Sequence, residues 1–159
     1  MTSKQLFKDC PLFDSLFDAD LERLDAISSP QEWGPGGTIF TEGNPANDLY
    51  VLERGRVALQ MQLPSTQPRL GRRITVDVAT KGEVFGWSAV VQPHTYTLTA
   101  VCLETTRGLA IDGFKLGNLL KSDHRIGYEV LGALIRVVAS RVDETRRLLI
   151  SERLGPTQG

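Results

Sequence analysis

Cysteine and histidine are scarce: the 159 residues hold two of each, Cys10 and Cys102, His94 and His124. The cysteines lie far apart in sequence and form no paired motif of the kind that builds a metal knuckle or a redox centre. They read as two free thiols packed as small hydrophobes in a reducing compartment. With so few histidines, a hydrolytic triad would have to join one of them to Ser88 or Cys102, and no nucleophile elbow surrounds either. Nor does any histidine stand one helical turn from a carboxylate with a third ligand in view, so no metal is expected. Long apolar runs are also missing. Nothing approaches the roughly 18 apolar residues of a membrane span, and the polar start, Met1 to Asp9, lacks a secretory signal. Neither sign of charge dominates, the formal net charge being -1 with 18 Lys and Arg spread along the chain, so no basic footprint for nucleic acid is present. The expectation is a non-enzymatic cytoplasmic protein with no cofactor, no membrane contact and no direct DNA binding.

What is present is one globular domain's worth of apolar residues, 41%. From Asp18 to Ile27, the spacing of Leu21, Leu24 and Ile27 predicts a short amphipathic helix with acidic residues in its first turn. The preceding Leu12, Phe13, Leu16 and Phe17 are expected to staple it to the body. After Ser28, prolines and glycines alternate with β-branched and aromatic residues, which predicts short strands and tight turns. The candidate strands are Thr38 to Thr41, Leu49 to Glu53, Val57 to Leu63, Arg73 to Ala79, Tyr96 to Cys102 and Thr105 to Ile111. Strands so spaced make a small sandwich or barrel. Pro64 to Arg72 reads as a solvated hairpin tip, with Arg69, Arg72 and Arg73 on the surface.

From Gly113 helix formers return. Phe114, Leu116, Leu119 and Leu120 predict a short helix, and His124 to Arg153 a helix of about 30 residues, about 45 Å long, with Asp123 and His124 as its cap. Along it Leu131, Ile135, Val138, Val142, Thr145 and Leu149 alternate by four and three, the seam of a parallel two-stranded coiled coil, with mixed charge at its flanks. A homodimer through this helix is expected. Ile126, Val130, Leu134 and Val137 support the alternative in which the helix folds back on its own sheet.

Short helices, strands, then a long terminal helix is an order that resembles the catabolite activator family of cyclic-nucleotide sensors. GGTIFTEGNPANDLYVLERGRVAL, Gly36 to Leu59, is similar to the front half of that family's binding domain. GEVFGWSAVV, Gly82 to Val91, resembles its phosphate-binding cassette, and YTLTAV, Tyr96 to Val101, the strand after it. The resemblance implies a mainly β fold with flanking helices, a jelly-roll-like β-roll over residues 10–122 that includes the N-terminal helices. The long dimerisation helix, residues 123–154, belongs to the same domain. It also implies a ligand site at Phe85, Gly86, Trp87, Ser88, Ala89, Tyr96 and Thr97, where a glycine and a short helix aim backbone N–H groups at one spot.

In the family a glutamate comes directly after this glycine and binds the ribose, and an arginine nine or ten residues on pairs with the cyclic phosphate. Trp87 and Tyr96 (Thr97 on the longer spacing) stand there instead. Losing the arginine alone weakens phosphate binding by roughly 10- to 150-fold, the equivalent of about 1.5 to 3 kcal/mol. Trp87, Tyr96 and His94 then have two readings: the rings fill the old pocket, or they line a remodelled one that takes a cyclic nucleotide in another mode or another small effector. No counterpart of the family's helix-turn-helix is expected after Leu154, and the expectation is a sensor that acts through a small molecule or an adaptor that acts through a protein partner.

Overall fold

The computed structural model describes residues 2–64 and 72–155. Two helices, α1 (Ser3–Asp9) and α2 (Asp18–Asp25), precede eight strands: β1 (Ser28–Trp33), β2 (Thr38–Phe40), β3 (Asp48–Arg54), β4 (Val57–Gln62), β5 (Arg73–Ala79), β6 (Val84–Phe85), β7 (Thr99–Cys102) and β8 (Thr106–Asp112). Helices α3 (Gly113–Ser122) and α4 (His124–Leu154) complete the chain's order of elements. The strands form two four-stranded antiparallel sheets, ordered β1-β8-β3-β6 and β2-β7-β4-β5, which face each other as a β-roll. Leu49, Val51 and Leu52 of β3, Val57 and Leu59 of β4, and Ile111 of β8 fill the space between and beneath them. Each such fully covered side chain contributes about 1.5 to 3 kcal/mol relative to exposure.

Several expected boundaries shift. The polar start is helical, because Thr2 and Gln5 form a reciprocal capping box and Leu6 and Phe7 are buried. Helix α2 ends at Asp25 instead of Ile27. Leu12, Phe13 and Leu16 are buried as expected, but Phe17 is 65% exposed and lies under the Arg125 guanidinium, 4.6 Å from its ring centroid. The stretch after Ser28, where no strand was expected before Thr38, contains strand β1. It pairs only with β8, so Pro30 costs no inward ladder bond. The strand expected from Tyr96 begins at Thr99, and the two-residue β6 had no counterpart among the candidates. Arg72 and Arg73 are exposed, while Arg69 and most of the expected hairpin tip lie outside the described residues. Both cysteines are buried, and burial pushes the Cys10 thiol up to about 12.

Helix α4 has two characters. Ile126, Val130, Ala133 and Leu134 are buried against the body, and Asp123 caps the first turn by accepting from Ile126 N–H at 3.1 Å. Arg125 pairs with the buried Asp20 at 2.7 Å. Further along, Arg141 reaches Asp77 of β5 and, at 2.6 Å, Glu83 just before β6. Its first half therefore packs on its own chain, and from Val142 to Leu154 every residue is exposed.

Candidate functional site

Strand β3 carries β6 on its edge, with Tyr50 opposite Phe85 and Val51 opposite Val84. The chain then turns at Gly86, whose φ of 78° is left-handed. A side chain there would be strained by the backbone and would stand 3.2 Å from the Phe40 ring and 3.3 Å from the Asp48 carbonyl, so only glycine fits without displacement. Next comes a single 3-10 turn, Trp87–Val90, and the Ala89 N–H is already donated to the Gly86 carbonyl at 3.1 Å. Phe85 and Ala89 are buried, Gly86, Trp87 and Ser88 half-buried, and Thr97 exposed.

Tyr96 lies in the loop before β7, 5% exposed, with its ring stacked on Phe40 at a centroid distance of 3.8 Å and 10° between planes. Its hydroxyl donates to the Asp48 carbonyl at 2.6 Å and accepts from the Asp48 N–H at 3.2 Å. The stack continues inward from Phe40 to Tyr50 and Phe85, whose rings lie 5.2 Å apart and nearly parallel, and Trp33 meets Tyr50 edge-on. Burial raises both phenol groups. Between this stack and the turn remains a cavity of about 30 Å³, lined by Phe40, Leu59, Gly86, Trp87, Ser88, Tyr96, Thr97 and Leu98. That is room for a water or two.

The expected residues thus do converge: Gly86, Trp87, Ser88, Tyr96 and Thr97 border one cavity, while Phe85 and Ala89 lie behind it as core. His94 faces away from it, with Nδ1 3.3 Å from the Ser88 carbonyl and a left-handed φ of 57°. Phe40 and Leu59 are cavity residues that sequence reasoning did not single out. Both sit in stretches recognised as strands, and the apolar alternation there marks them only as core.

None of the residues lining this cavity is charged. Among the described residues no group of three or more His, Cys, Asp and Glu is placed to hold a metal ion, and no helix is long and apolar enough to cross a membrane.

A family model described as "Cyclic nucleotide-binding domain" matches residues 30–123. The chain is 23% identical over 138 residues to the CRP-like cAMP-activated global transcriptional regulator of Mycobacterium tuberculosis, covering 87% of this chain but only 58% of that regulator's length. Among solved structures it is similar to the N-terminal domain of a transcriptional regulator from Streptomyces coelicolor A3(2), with 28% identity, a TM-score of 0.68, and coverage of 87% of this chain and 94% of that one. A cyclic nucleotide-binding domain from Methylobacillus flagellatus KT shares the fold at a TM-score of 0.79 and 17% identity, over 98% of this chain and 85% of its own.

Proposed function

The chain belongs to the cyclic nucleotide-binding domain family, and from that premise we propose that it is a non-enzymatic regulatory module whose ancestral nucleotide pocket is closed. The observation that carries this is the Phe40–Tyr96 stack, which leaves about 30 Å³ where a ligand of nucleotide size requires about 300 Å³ or more. Trp87 and Tyr96, at the positions of the ribose-binding glutamate and phosphate-binding arginine, supply neither charge. The Tyr96 hydroxyl is spent on the backbone of Asp48. The family's standard mode of binding therefore does not fit these residues.

The module acts as a dimer through α4. Leu131, Ile135, Val142 and Leu149 are between 41% and 68% exposed on the single chain, an apolar stripe that a second copy would cover, while Val138 between them is half-buried against the chain's own core. The packing of Ile126, Val130 and Leu134 on the body uses a face about a third of a turn around the helix from this stripe. The same stripe supports a second reading, an adaptor whose helix binds a different protein.

The test is a thermal-shift titration with cyclic AMP, cyclic GMP and cyclic dinucleotides, on the native chain and on Trp87→Glu/Tyr96→Arg. A ligand at 100 times its dissociation constant adds about 2.7 kcal/mol of stability. The native chain is expected to show no shift with any of them, and the double variant to respond to a cyclic mononucleotide. A shift of that size in the native chain refutes the closed pocket.

A further inference from the structure

Beyond the closed pocket, at the other end of the cassette turn, lies a cleft of about 550 Å³ between that turn and α3. This is the size of a small-molecule site, and its lining is arranged along an axis. One end carries Asp48 and Asp112, neighbours across the β3–β8 pair. The other carries Lys121, in the last turn of α3. The Asn47 and Asn118 carboxamides lie along the walls, and Phe114 stands at the rim with its ring 79% exposed. Gly117 forms part of the α3 wall, and a side chain added there would meet nothing within 4 Å.

We propose that this cleft binds a small elongated zwitterion, of the class of a two- or three-residue peptide, with its ammonium at Asp48 and Asp112 and its carboxylate at Lys121. The proposal rests on the regulatory-module reading of the preceding subsection and gives that module a ligand at a site other than the closed pocket. The helix sets the length. From Asp112 to Lys121 is nine residues, about 13 Å of rise. Helical side chains lean toward the helix N-terminus, and the long lysine stem has the reach to shorten the gap. Three extended residues span about 10 Å, whereas the two charges of a free amino acid stand too close together to reach both ends. Carboxamides offer one donor group and one acceptor, the complement of a peptide unit, and Phe114 offers an apolar face. Burial and the nearby Asp112 raise the Asp48 carboxyl, which has no hydrogen-bond or ion-pair partner among the described residues, as befits a group awaiting a cation. The site also has a means of output: Gly113, the first residue of α3, is packed so closely on Ala89 of the turn that an added Cβ would lie 2.9 Å from it.

The experiment is isothermal titration calorimetry of the full chain with trialanine, N-acetyl-trialanine and trialanine amide, on the native protein, Gly117→Leu and Lys121→Met. Trialanine is expected to bind saturably, and each blocked peptide at least tenfold more weakly. Lys121→Met is expected to bind trialanine no better than the native chain binds the amide. Gly117→Leu, which places a good helix former into empty space and keeps the native circular dichroism, is expected to abolish binding. Absence of saturable heat at peptide concentrations up to about 10 mM, equal affinity for blocked and free peptides, or undiminished binding by Gly117→Leu each overturns the assignment. Silence from trialanine, together with a stability shift caused by some other small metabolite, overturns the cleft's ligand and leaves the regulatory-module reading standing.

Discussion

Tyr96→Phe removes one oxygen and leaves the ring on Phe40, whereas Tyr96→Ala removes both, so the pair of variants separates the hydrogen bonds from the stack. The hydroxyl makes two bonds to the backbone of Asp48, at 2.6 and 3.2 Å. Leaving that half-buried N–H and carbonyl unpaired costs about 1 to 3 kcal/mol. The ring is 95% covered and stacked at 3.8 Å, and its truncation costs a further share of the about 3 to 5 kcal/mol typical of an aromatic-to-alanine change in a core. At about 2 to 4 °C per kcal/mol for a chain this long, Tyr96→Phe is expected to lower the melting temperature by roughly 2 to 12 °C, and Tyr96→Ala by clearly more. Urea unfolding monitored by circular dichroism gives the free energies directly. Because Tyr96→Ala also opens an apolar space beside Trp87 and Leu59, indole added to that variant should recover part of the loss and should do nothing for the native chain. Equal losses from the two substitutions, or a total below about 0.5 kcal/mol, would mean that Tyr96 is not what closes the pocket.

Gly113→Ala drives a Cβ to 2.9 Å from Ala89 Cβ, the Ala89 carbonyl and the Asn47 carbonyl. Denaturant titration is expected to show a loss of about 1 to 3 kcal/mol, since two of the three contacts are backbone. Ile135 is 68% exposed on the single chain, so Ile135→Glu should leave unfolding of the monomer unchanged while light scattering shows the native mass of two chains falling to one. A native mass of one chain would remove the dimer from the proposal. Asp20 is held below its ordinary carboxyl value of 3.8 chiefly by its hydrogen bond from Arg125. A lowered folded value means stability that is present above about pH 4 and lost as the pH falls below it. Asp20→Asn should therefore be less stable at pH 7, with a flatter stability profile between pH 4 and pH 2 in urea titrations.

The cassette and the long helix were legible because each is written in consecutive residues: Gly82 to Val91 as a string, α4 as a period. The elements that escaped are fixed by distant partners. In β1, Ser29, Pro30, Gln31 and Glu32 are all exposed, so no apolar alternation marks a strand that exists only because β8 offers it an edge. The fate of the pocket had the same cause. Phe40, Tyr50, Phe85 and Tyr96 are visible as aromatics, but their convergence depends on the register that sets Tyr50 opposite Phe85 and on the loop that brings Tyr96 back to Asp48.

Distant pairing also gives Arg141 a role that its local sequence does not suggest. By periodicity it is a charged flank of the dimer seam, between Val138 and Val142. In the fold it is 18% exposed and tied to Asp77 and Glu83, and Glu83 lies one residue before the strand that leads into the cassette turn. An ion pair this covered is costly to break one partner at a time. The turn that leads into the cassette and the middle of the seam are therefore held by one side chain. A displacement of either must move the other or break the Arg141 pairs, which would give the proposed cleft ligand and the proposed α4 dimer a physical route of coupling without any further element.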